Sequence, residues 1–448
     1  SMDRTMMLWQ HEQRSGLWMS QASVGDAGAQ CLGYFGACFS PTGARVVAHG
    51  FTGAMHLWDS SSDADTNTSA GHRAWVPLHA AGGHFGPVAG CCWAADGRCV
   101  LSVGEDQTAR VWTRVRAHWC EVARPQVHGH DFTCVASVPK ADEDGAASAQ
   151  YAFISGSEEK MLRAFEAPQV FVDTLDMARC RAPGGGGRQA VSGRAFGAAI
   201  PALGLSNKAV FDGGDDGDDG EGASNAGVGS GMAGGHYNDG PDFAPCAAPA
   251  SSEGPPLEEH LSQNTLWPEV HKLYGHGSDV YCLAVSRDGR YAASACVAKS
   301  AVAADVFVWA TRAWVAVAQL PGHTLTVTGL AWAHGDGYLA SCSRDRSFSI
   351  FRRVRGVEGA EDSFVLAQRV QKAHARVLWG VAWSPDDRVL ATGARDEAVK
   401  LWAAVPQVQS SDSGGLVVGE RAALTLMLFG SPVTALAFAP APSSSASR

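Results

Sequence analysis

The sequence predicts an all-β protein built from repeated four-stranded units. A stretch covering residues 84–112 returns without gaps at residues 323–351 and again at residues 374–402. Short runs of β-branched and aromatic residues alternate with turn sequences such as ADGR, RDGR and SPDDR, which is the pattern of strands joined by tight turns. A further apolar run follows each copy, so each unit supplies four strands over about 40 to 50 residues, the period of a propeller blade.

Four positions recur at a fixed spacing in these copies. Counting from an opening His, a Ser or Thr follows after 18 residues, an Asp after 22 and an aromatic residue after 28. Weaker copies begin near Leu32, His128, His276 and Ser431, which brings the predicted number of units to seven. The strong copies hold His84, Ser102, Asp106 and Trp112; His323, Ser341, Asp345 and Phe351; and His374, Thr392, Asp396 and Trp402.

These units resemble WD40 repeats, in which Gly-His opens the unit, an Asp lies between the second and third strands, and Trp closes the third strand. The resemblance implies a WD40 β-propeller, seven-bladed, with incomplete first and last blades in this chain. It also implies that the His, Ser or Thr, Asp and Trp of a blade form one hydrogen-bonded network. A buried carboxylate needs such donors to offset its desolvation.

The same residue types suggest an alternative, because Ser, His and Asp also form a hydrolase catalytic triad. A repeated triad would place a nucleophile in every blade, and the chain has no G-x-S-x-G sequence to expose a strained serine. Polar groups in a buried network are more often satisfied than reactive. We therefore expect a structural network, no catalytic residues and no enzyme activity.

Domain boundaries follow from where the repeat breaks. Asp3 and Trp9 keep the spacing of a turn Asp and a closing Trp, so the chain is expected to start inside a blade. An open propeller would leave strand edges unpaired, which predicts a piece of a longer protein. The predicted segments are residues 1–30, the last strands of a preceding blade; 31–182, three units; 183–265, a Gly-rich acidic insertion with a strand-like island at 200–211; 266–430, three further units; and 431–448, the start of a truncated blade and a disordered tail.

Composition limits the function. With 35 Lys and Arg against 45 Asp and Glu, the net charge is −10, which argues against a general binder of nucleic acid or anionic membranes. Most cysteines lie in apolar strand-like runs, and no signal peptide is visible, so a cytoplasmic and nuclear location is expected. Neither the tetraglycine at 184–187, nor the Asp run, nor His128 with His130 has the spacing of a phosphate loop or metal site, so no cofactor and no metal are predicted.

Some segments outside the general repeat pattern resemble one branch of the family, the WD40 scaffold subunit (second subunit) of the Elongator complex. They include residues 155–168, 200–211 and 266–277. The resemblance implies a non-catalytic scaffold that holds the largest subunit and the radical-SAM acetyltransferase catalytic subunit together for tRNA wobble-uridine modification, with indirect or weak tRNA contact. Two alternatives stay open: a WD40 adaptor in another nuclear or cytoplasmic complex, and a propeller that binds RNA directly through a basic rim.

Arginines mark candidate partner-binding positions. Residues 344–376 hold eight basic against four acidic residues in a chain that is acidic overall. Guanidinium groups bind carboxylate and phosphate in a bidentate manner, so this stretch predicts a docking site for an acidic partner surface or tRNA. The alternative is a solvated rim with scattered ion pairs. The candidates from this stretch are Arg344, Arg346 and Arg376, and Arg395 is added because it is equivalent to Arg344 in the next blade.

Two tryptophans, Trp267 and Trp379, exceed what the blade pattern needs. Both are candidate interface anchors, because Trp is frequent among residues that dominate binding energy. The alternative is packing inside or between blades, which is the usual role of Trp in a sheet protein.

Overall fold

Strands dominate the structure. The computed structural model describes residues 5–24, 33–50, 53–61, 74–140, 150–178, 194–199, 210–211, 255–356, 361–407, 415–419, 421–427 and 430–440. The strands are β1 (Met6–His11), β2 (Trp18–Val24), β3 (Tyr34–Phe39), β4 (Arg45–Gly50), β5 (Met55–Ser61), β6 (Ala74–Leu78), β7 (Val88–Trp93), β8 (Cys99–Gly104), β9 (Thr108–Val115), β10 (His118–Val127), β11 (Phe132–Lys140), β12 (Gln150–Ser157), β13 (Met161–Glu166), β14 (Ala198–Ala199), β15 (Val210–Phe211), β16 (Glu269–Tyr274), β17 (Val280–Val285), β18 (Tyr291–Cys296), β19 (Val306–Ala310), β20 (Val315–Leu320), β21 (Val327–Trp332), β22 (Tyr338–Ser343), β23 (Phe348–Val354), β24 (Ser363–Val370), β25 (Leu378–Trp383), β26 (Val389–Ala394), β27 (Ala398–Gln407), β28 (Gly415–Val418) and β29 (Leu424–Met427).

Helices are short and few in the described ranges. They are α1 (Gln169–Ala178), α2 (Glu258–Gln263) and a single 3-10 turn at Val302–Ala304. The chain divides into two compact modules, each with its own core. The first module comprises residues 1–85, 108–129 and 167–268, and the second comprises residues 86–107, 130–166 and 269–448.

Four sheets follow one another in the second module. Their strand orders are β11-β12-β13-β16, β17-β18-β19-β20, β21-β22-β23-β24 and β25-β26-β27-β28, with β29 also paired to β27. Neighbouring sheets share apolar cores: Val327 and Trp332 of β21 cluster with Cys282 and Val308 of the preceding sheet. Stacked four-stranded antiparallel sheets are the architecture of a β-propeller, so the predicted all-β class is confirmed.

The blade that begins with β11 is interrupted by the insertion. Its third strand is β13, and its fourth strand is β16, which pairs with β13 from Met161↔Tyr274 to Phe165↔Glu269. The repeat pattern places residues 266–277 at the start of the next unit and does not predict this pairing. The reason is that a long insertion between two paired strands conceals their relation from any local pattern.

The turn between the first two strands of a blade has a recurring geometry. Gly289, Asp336 and Asp387 have φ values of 68°, 56° and 56°. Each donates its N–H to the carbonyl three residues earlier. The Asp387 carboxylate also accepts the N–H groups of His334 (2.7 Å) and Gly335 (2.8 Å) in the preceding blade. Adjacent blades are therefore joined at their turns as well as through their cores.

The first module combines a sheet with two hairpins. The sheet has the order β3-β4-β5-β6, and the β1–β2 hairpin packs on it through Leu8 and Val24, which cluster with Val46 and Trp58. The β9–β10 hairpin contacts both α1 and α2. Helix α1 precedes the insertion and α2 lies at its C-terminal end, so the two ends of the insertion approach the same hairpin.

Two predicted strands have different outcomes. The strand expected from Ser431 is not formed, since residues 431–440 carry no ladder hydrogen bonds, although Val433 is buried and its N–H donates to the Ala394 carbonyl. The segment lies close to Gly380 of β25 and Gly393 of β26, but no described strand forms a hydrogen-bonded ladder with it. Within the island at 200–211, only Val210–Phe211 is described, and it pairs with Ala198–Ala199; residues 200–209 lie outside the described ranges.

Candidate functional site

The blade formed by β25 to β28 contains a closed polar network. His374 lies 3.0 Å from Asp396 through Nδ1 and 2.8 Å from the Thr392 hydroxyl through Nε2. The Trp402 indole donates to the same hydroxyl at 2.8 Å, and the N–H of Ala375 donates to Asp396 at 2.9 Å. Side chains 28 residues apart in sequence thus meet inside one blade.

The preceding blade repeats this arrangement. His323 lies 3.2 Å from Asp345 and 2.8 Å from Ser341. Burial alone would raise the pKa of Asp345, but hydrogen bonds from His323 and Ser347 outweigh it and hold that pKa well below its usual range. Phe351 stands at the Trp position, so this network lacks the indole donor.

A third network, in the blade that begins with β17, lacks its carboxylate. His276 lies 2.7 Å from Ser294, whose hydroxyl also accepts the Trp309 indole N–H at 2.7 Å. The position equivalent to Asp345 and Asp396 is Ala298. His276 Nδ1 is buried without a hydrogen-bond partner among the described residues, and burial lowers the pKa of this imidazole to about 4.

The copy that opens with His84 contributes residues to both modules. In the first module, His84 Nδ1 lies 3.3 Å from the Thr108 hydroxyl, and Trp112 is half-buried. In the second module, Ser102 and Asp106 are buried.

Burial decides between the structural and the catalytic interpretation of the complete networks. Ser341 and Thr392 are each 0% exposed, so no substrate reaches their hydroxyls. Their imidazole partners are buried as well. A network of this kind holds strands together and satisfies a buried carboxylate, which is a structural task.

The arginine candidates converge at one end of two adjacent blades. Arg344 and Arg346 lie between β22 and β23, Arg395 lies between β26 and β27, and Arg376 lies between β24 and β25. All four are exposed, and none forms an ion pair with a described residue. We call these four residues the basic rim.

Two other arginines of the same stretch are already neutralised by carboxylates. Arg353 is buried between Asp288 (2.7 Å) and Asp362 (2.6 Å), and Arg369 lies 3.2 Å from Asp345. The basic rim supplies only part of the unpaired positive charge of this stretch, since Arg352, Arg355 and Lys372 also form no ion pair with a described residue.

The two tryptophan candidates differ. Trp379 is half-buried beneath Arg344, whose guanidinium carbon lies 5.9 Å from the ring centroid. Trp267 is only 1% exposed and packs against Phe171 of α1, with ring centroids 4.8 Å apart. Its prediction as an interface anchor is corrected: Trp267 is covered by α1, a helix before the insertion that the sequence did not predict.

Sequence reasoning also missed a buried ionic cluster in the first module. Arg124 donates to Glu121 at 2.9 Å and, in a bidentate manner, to Glu258 of α2 at 2.9 and 3.1 Å. Arg110 donates to the same Glu121 at 3.0 Å. Its members come from distant parts of the chain and follow no repeat, so no sequence pattern pointed to it. The cluster fastens the end of the insertion to β10.

Comparison with known families agrees with the geometry of the blades. A family model described as WD domain, G-beta repeat, matches residues 75–113, 267–301, 314–352 and 367–403. The chain therefore contains WD40 repeats over these four ranges. The last two matched ranges contain the Asp345 and Asp396 networks, and the range 267–301 contains the incomplete one around His276.

The chain is also similar to individual curated proteins, and this similarity confirms the predicted resemblance. The chain is 36% identical to Elongator complex protein 2 of Dictyostelium discoideum, over 98% of this chain and 50% of that protein. It is 37% identical to the Arabidopsis thaliana protein of that name, over 98% and 49%, and 35% identical to the human one, over 90% and 47%. The chain spans about half the length of these relatives. No helix in its described parts is long and apolar enough to cross a membrane.

Proposed function

We propose that the chain is a non-catalytic WD40 scaffold of the Elongator complex, acting in the cytoplasm and nucleus. In this function it holds the largest subunit and the radical-SAM acetyltransferase catalytic subunit together for tRNA wobble-uridine modification. Identity of 36% to an Elongator complex protein 2 over 98% of the chain supports the assignment. The nine described cysteines are free thiols, in keeping with a reducing location.

The basic rim is the main observation that supports a docking site on this chain. Four exposed arginines, without carboxylate partners among the described residues, lie on the connections of two adjacent blades in a chain whose net charge is −10. Connections on a rigid sheet scaffold are where binding residues concentrate. An acidic surface of another subunit would supply the carboxylates that these guanidiniums lack, and Trp379 beneath Arg344 would add a desolvated contact.

The alternative occupant of the basic rim is RNA. Phosphate contacts release counterions, so RNA binding would weaken steeply with salt. The logarithm of the binding constant would fall against the logarithm of the salt concentration with a slope of about −0.7 per neutralised phosphate on a single strand. The affinity of protein docking through a mixed polar and apolar contact depends less steeply on salt concentration. Salt titration of rim-dependent binding therefore separates the two candidates.

The experiment is co-purification of the full chain with the largest and catalytic Elongator subunits. The variant Arg344→Glu, Arg346→Glu, Arg376→Glu reverses charge on the basic rim and is expected to lose the complex while its thermal unfolding stays unchanged. The exposed positions are not packed in the core, so the fold should tolerate these substitutions.

A matched control reverses three exposed arginines at the opposite ends of the strands. Arg287 and Arg290 lie between β17 and β18, and Arg388 lies between β25 and β26. Their Glu variant is expected to co-purify normally. Equal loss in both variants would point to a general charge effect, and full retention by the rim variant would remove the rim as the docking site. If the wild type itself fails to co-purify, the Elongator assignment is wrong.

A further inference from the structure

The tip of the β9–β10 hairpin concentrates cationic and aromatic side chains. Arg114, Arg116 and His118 are exposed, and Trp119 is 51% exposed. Between Thr113 and Cys120 the sequence contains no Asp or Glu. The tip is therefore a local positive patch in the first module of a net-acidic chain.

Register places the indole beside a guanidinium. Trp119 is the direct cross-strand partner of Arg114, so the two side chains share one face of the hairpin, with Cβ atoms about 4.5–5.5 Å apart. Neither Arg114 nor Arg116 forms an ion pair with a described residue. The charge is available to a ligand.

The hairpin has a rigid base. Directly below the tip, Arg110 of β9 donates to Glu121 of β10 at 3.0 Å, and both side chains are buried. Glu121 also accepts from Arg124, so its negative charge is consumed within the base and does not neutralise the tip. A ligand at the tip would meet side chains held on a fixed strand pair.

The turn keeps an arginine where the backbone favours glycine. Arg116 has φ 54°, a left-handed conformation that costs a non-glycine residue free energy. This tight turn places the exposed Arg116 at the tip of the hairpin.

We propose that this tip binds single-stranded nucleic acid. A base stacks on the Trp119 indole, while Arg114 and Arg116 contact the flanking phosphates. An aromatic face beside two cations suits a planar base on an anionic backbone, whereas an acidic peptide would need the cations alone. The site lies in the first module and goes beyond the proposed scaffold function, whose basic rim lies in the second.

The test uses the full chain and a fluorescein-labelled oligouridylate of about twelve nucleotides, followed by fluorescence anisotropy across a salt series. Trp119→Ala is expected to weaken binding on the order of tenfold or more, because a stacked base is lost. The matched control is Trp18→Ala, since Trp18 is 65% exposed on β2 but outside the tip. This control is expected to bind as the wild type does.

A second variant separates binding from folding. Arg116→Gly removes one charge and relieves the left-handed backbone, so the salt slope should fall by about 0.7 while the thermal midpoint stays equal or rises. A wild type that fails to bind at low salt, or a Trp119→Ala variant that binds equally well, would overturn the proposal.

Two further arms identify the ligand and the site. Oligoglutamate that displaces the RNA, with no effect of Trp119→Ala, would show an acidic-peptide site and contradict the inference. The basic-rim variant is expected to bind the RNA normally. If the rim variant loses the RNA and the tip variants keep it, this inference fails while the rim gains RNA binding as its function.

Discussion

Single residues set how closely adjacent blades approach. A Cβ added to Gly289 would collide with the Pro139 carbonyl oxygen of the preceding blade. The residue also has φ 68°. Two constraints, one steric and one conformational, thus require glycine at this turn.

Gly289→Ala is therefore expected to destabilise the chain by about 3 kcal/mol, combining the left-handed backbone cost with overpacking of roughly 1–3 kcal/mol. Gly97→Ala isolates the backbone part, because Gly97 has the same φ of 68° with nothing within 4 Å of an added Cβ. It should cost about 1–2 kcal/mol. Urea unfolding of both variants measures the difference, and equal losses would contradict a tight approach at Pro139.

At the scale of elements, α2 is fastened by charge in addition to its buried Leu261. The helix has only six residues and is too short to be stable alone. Its Glu258 meets Arg124, whose side chain is 7% exposed, and Thr265 accepts the backbone N–H of Arg124 at 2.9 Å. The end of the insertion is held on β10 through these contacts.

Arg124→Met is expected to cost about 3–5 kcal/mol, because it leaves Glu121 and Glu258 buried with reduced compensation. The comparison is Arg45→Met, which removes an ion pair with Asp59 whose side chains are 58% and 33% exposed. That change should cost no more than about 1 kcal/mol. Thermal unfolding of the two variants distinguishes them, and similar losses would mean that burial does not strengthen the role of Arg124.

Over the whole molecule, repeated blades do not carry equal polar networks. In two blades of the second module an Asp side chain hydrogen-bonds to the opening His. In a third blade the position of this Asp is occupied by Ala298. In an array of repeats, stability is close to a sum of local terms, so the weakest repeat limits the rest. The blade around His276 is the expected weak point under acid.

The sign of this pH effect follows from the pKa of His276, which burial lowers from 6.5 to about 4 in the folded state. Between these values the unfolded chain binds more protons, so stability is complete above about pH 6.5 and falls as the pH drops toward 4. The loss from His276 should be about 2 kcal/mol between pH 7.5 and pH 5.

Urea unfolding at these two pH values, with His276→Gln as the comparison, measures this loss. Between pH 7.5 and pH 5, the free energy of unfolding of the variant should fall by about 2 kcal/mol less than that of the wild type. This holds whatever the stability of the variant at neutral pH. A variant with the same pH dependence as the wild type would exclude His276 as the source.

The sequence predicted those parts of the fold that repeat. Fixed offsets located the His374 and His323 networks, because the same contact recurs in each blade and leaves the same spacing. It could not predict the burial of Trp267 or the partner of Glu258, since both depend on α1 and α2 within a segment that has no repeat. For the basic rim, charge counting found the stretch, but only the ion pairs of Arg353 and Arg369 showed which arginines remain free.

The split blade has a consequence for synthesis of the chain. Strand β13 ends at Glu166, and its partner β16 begins at Glu269, so about a hundred residues leave the ribosome before the pair can form. At about 5–20 residues per second, the edge of β13 stays open for roughly 5–20 seconds. An unpaired edge invites pairing with other chains, so the nascent protein has a defined interval in which a chaperone would be of most use.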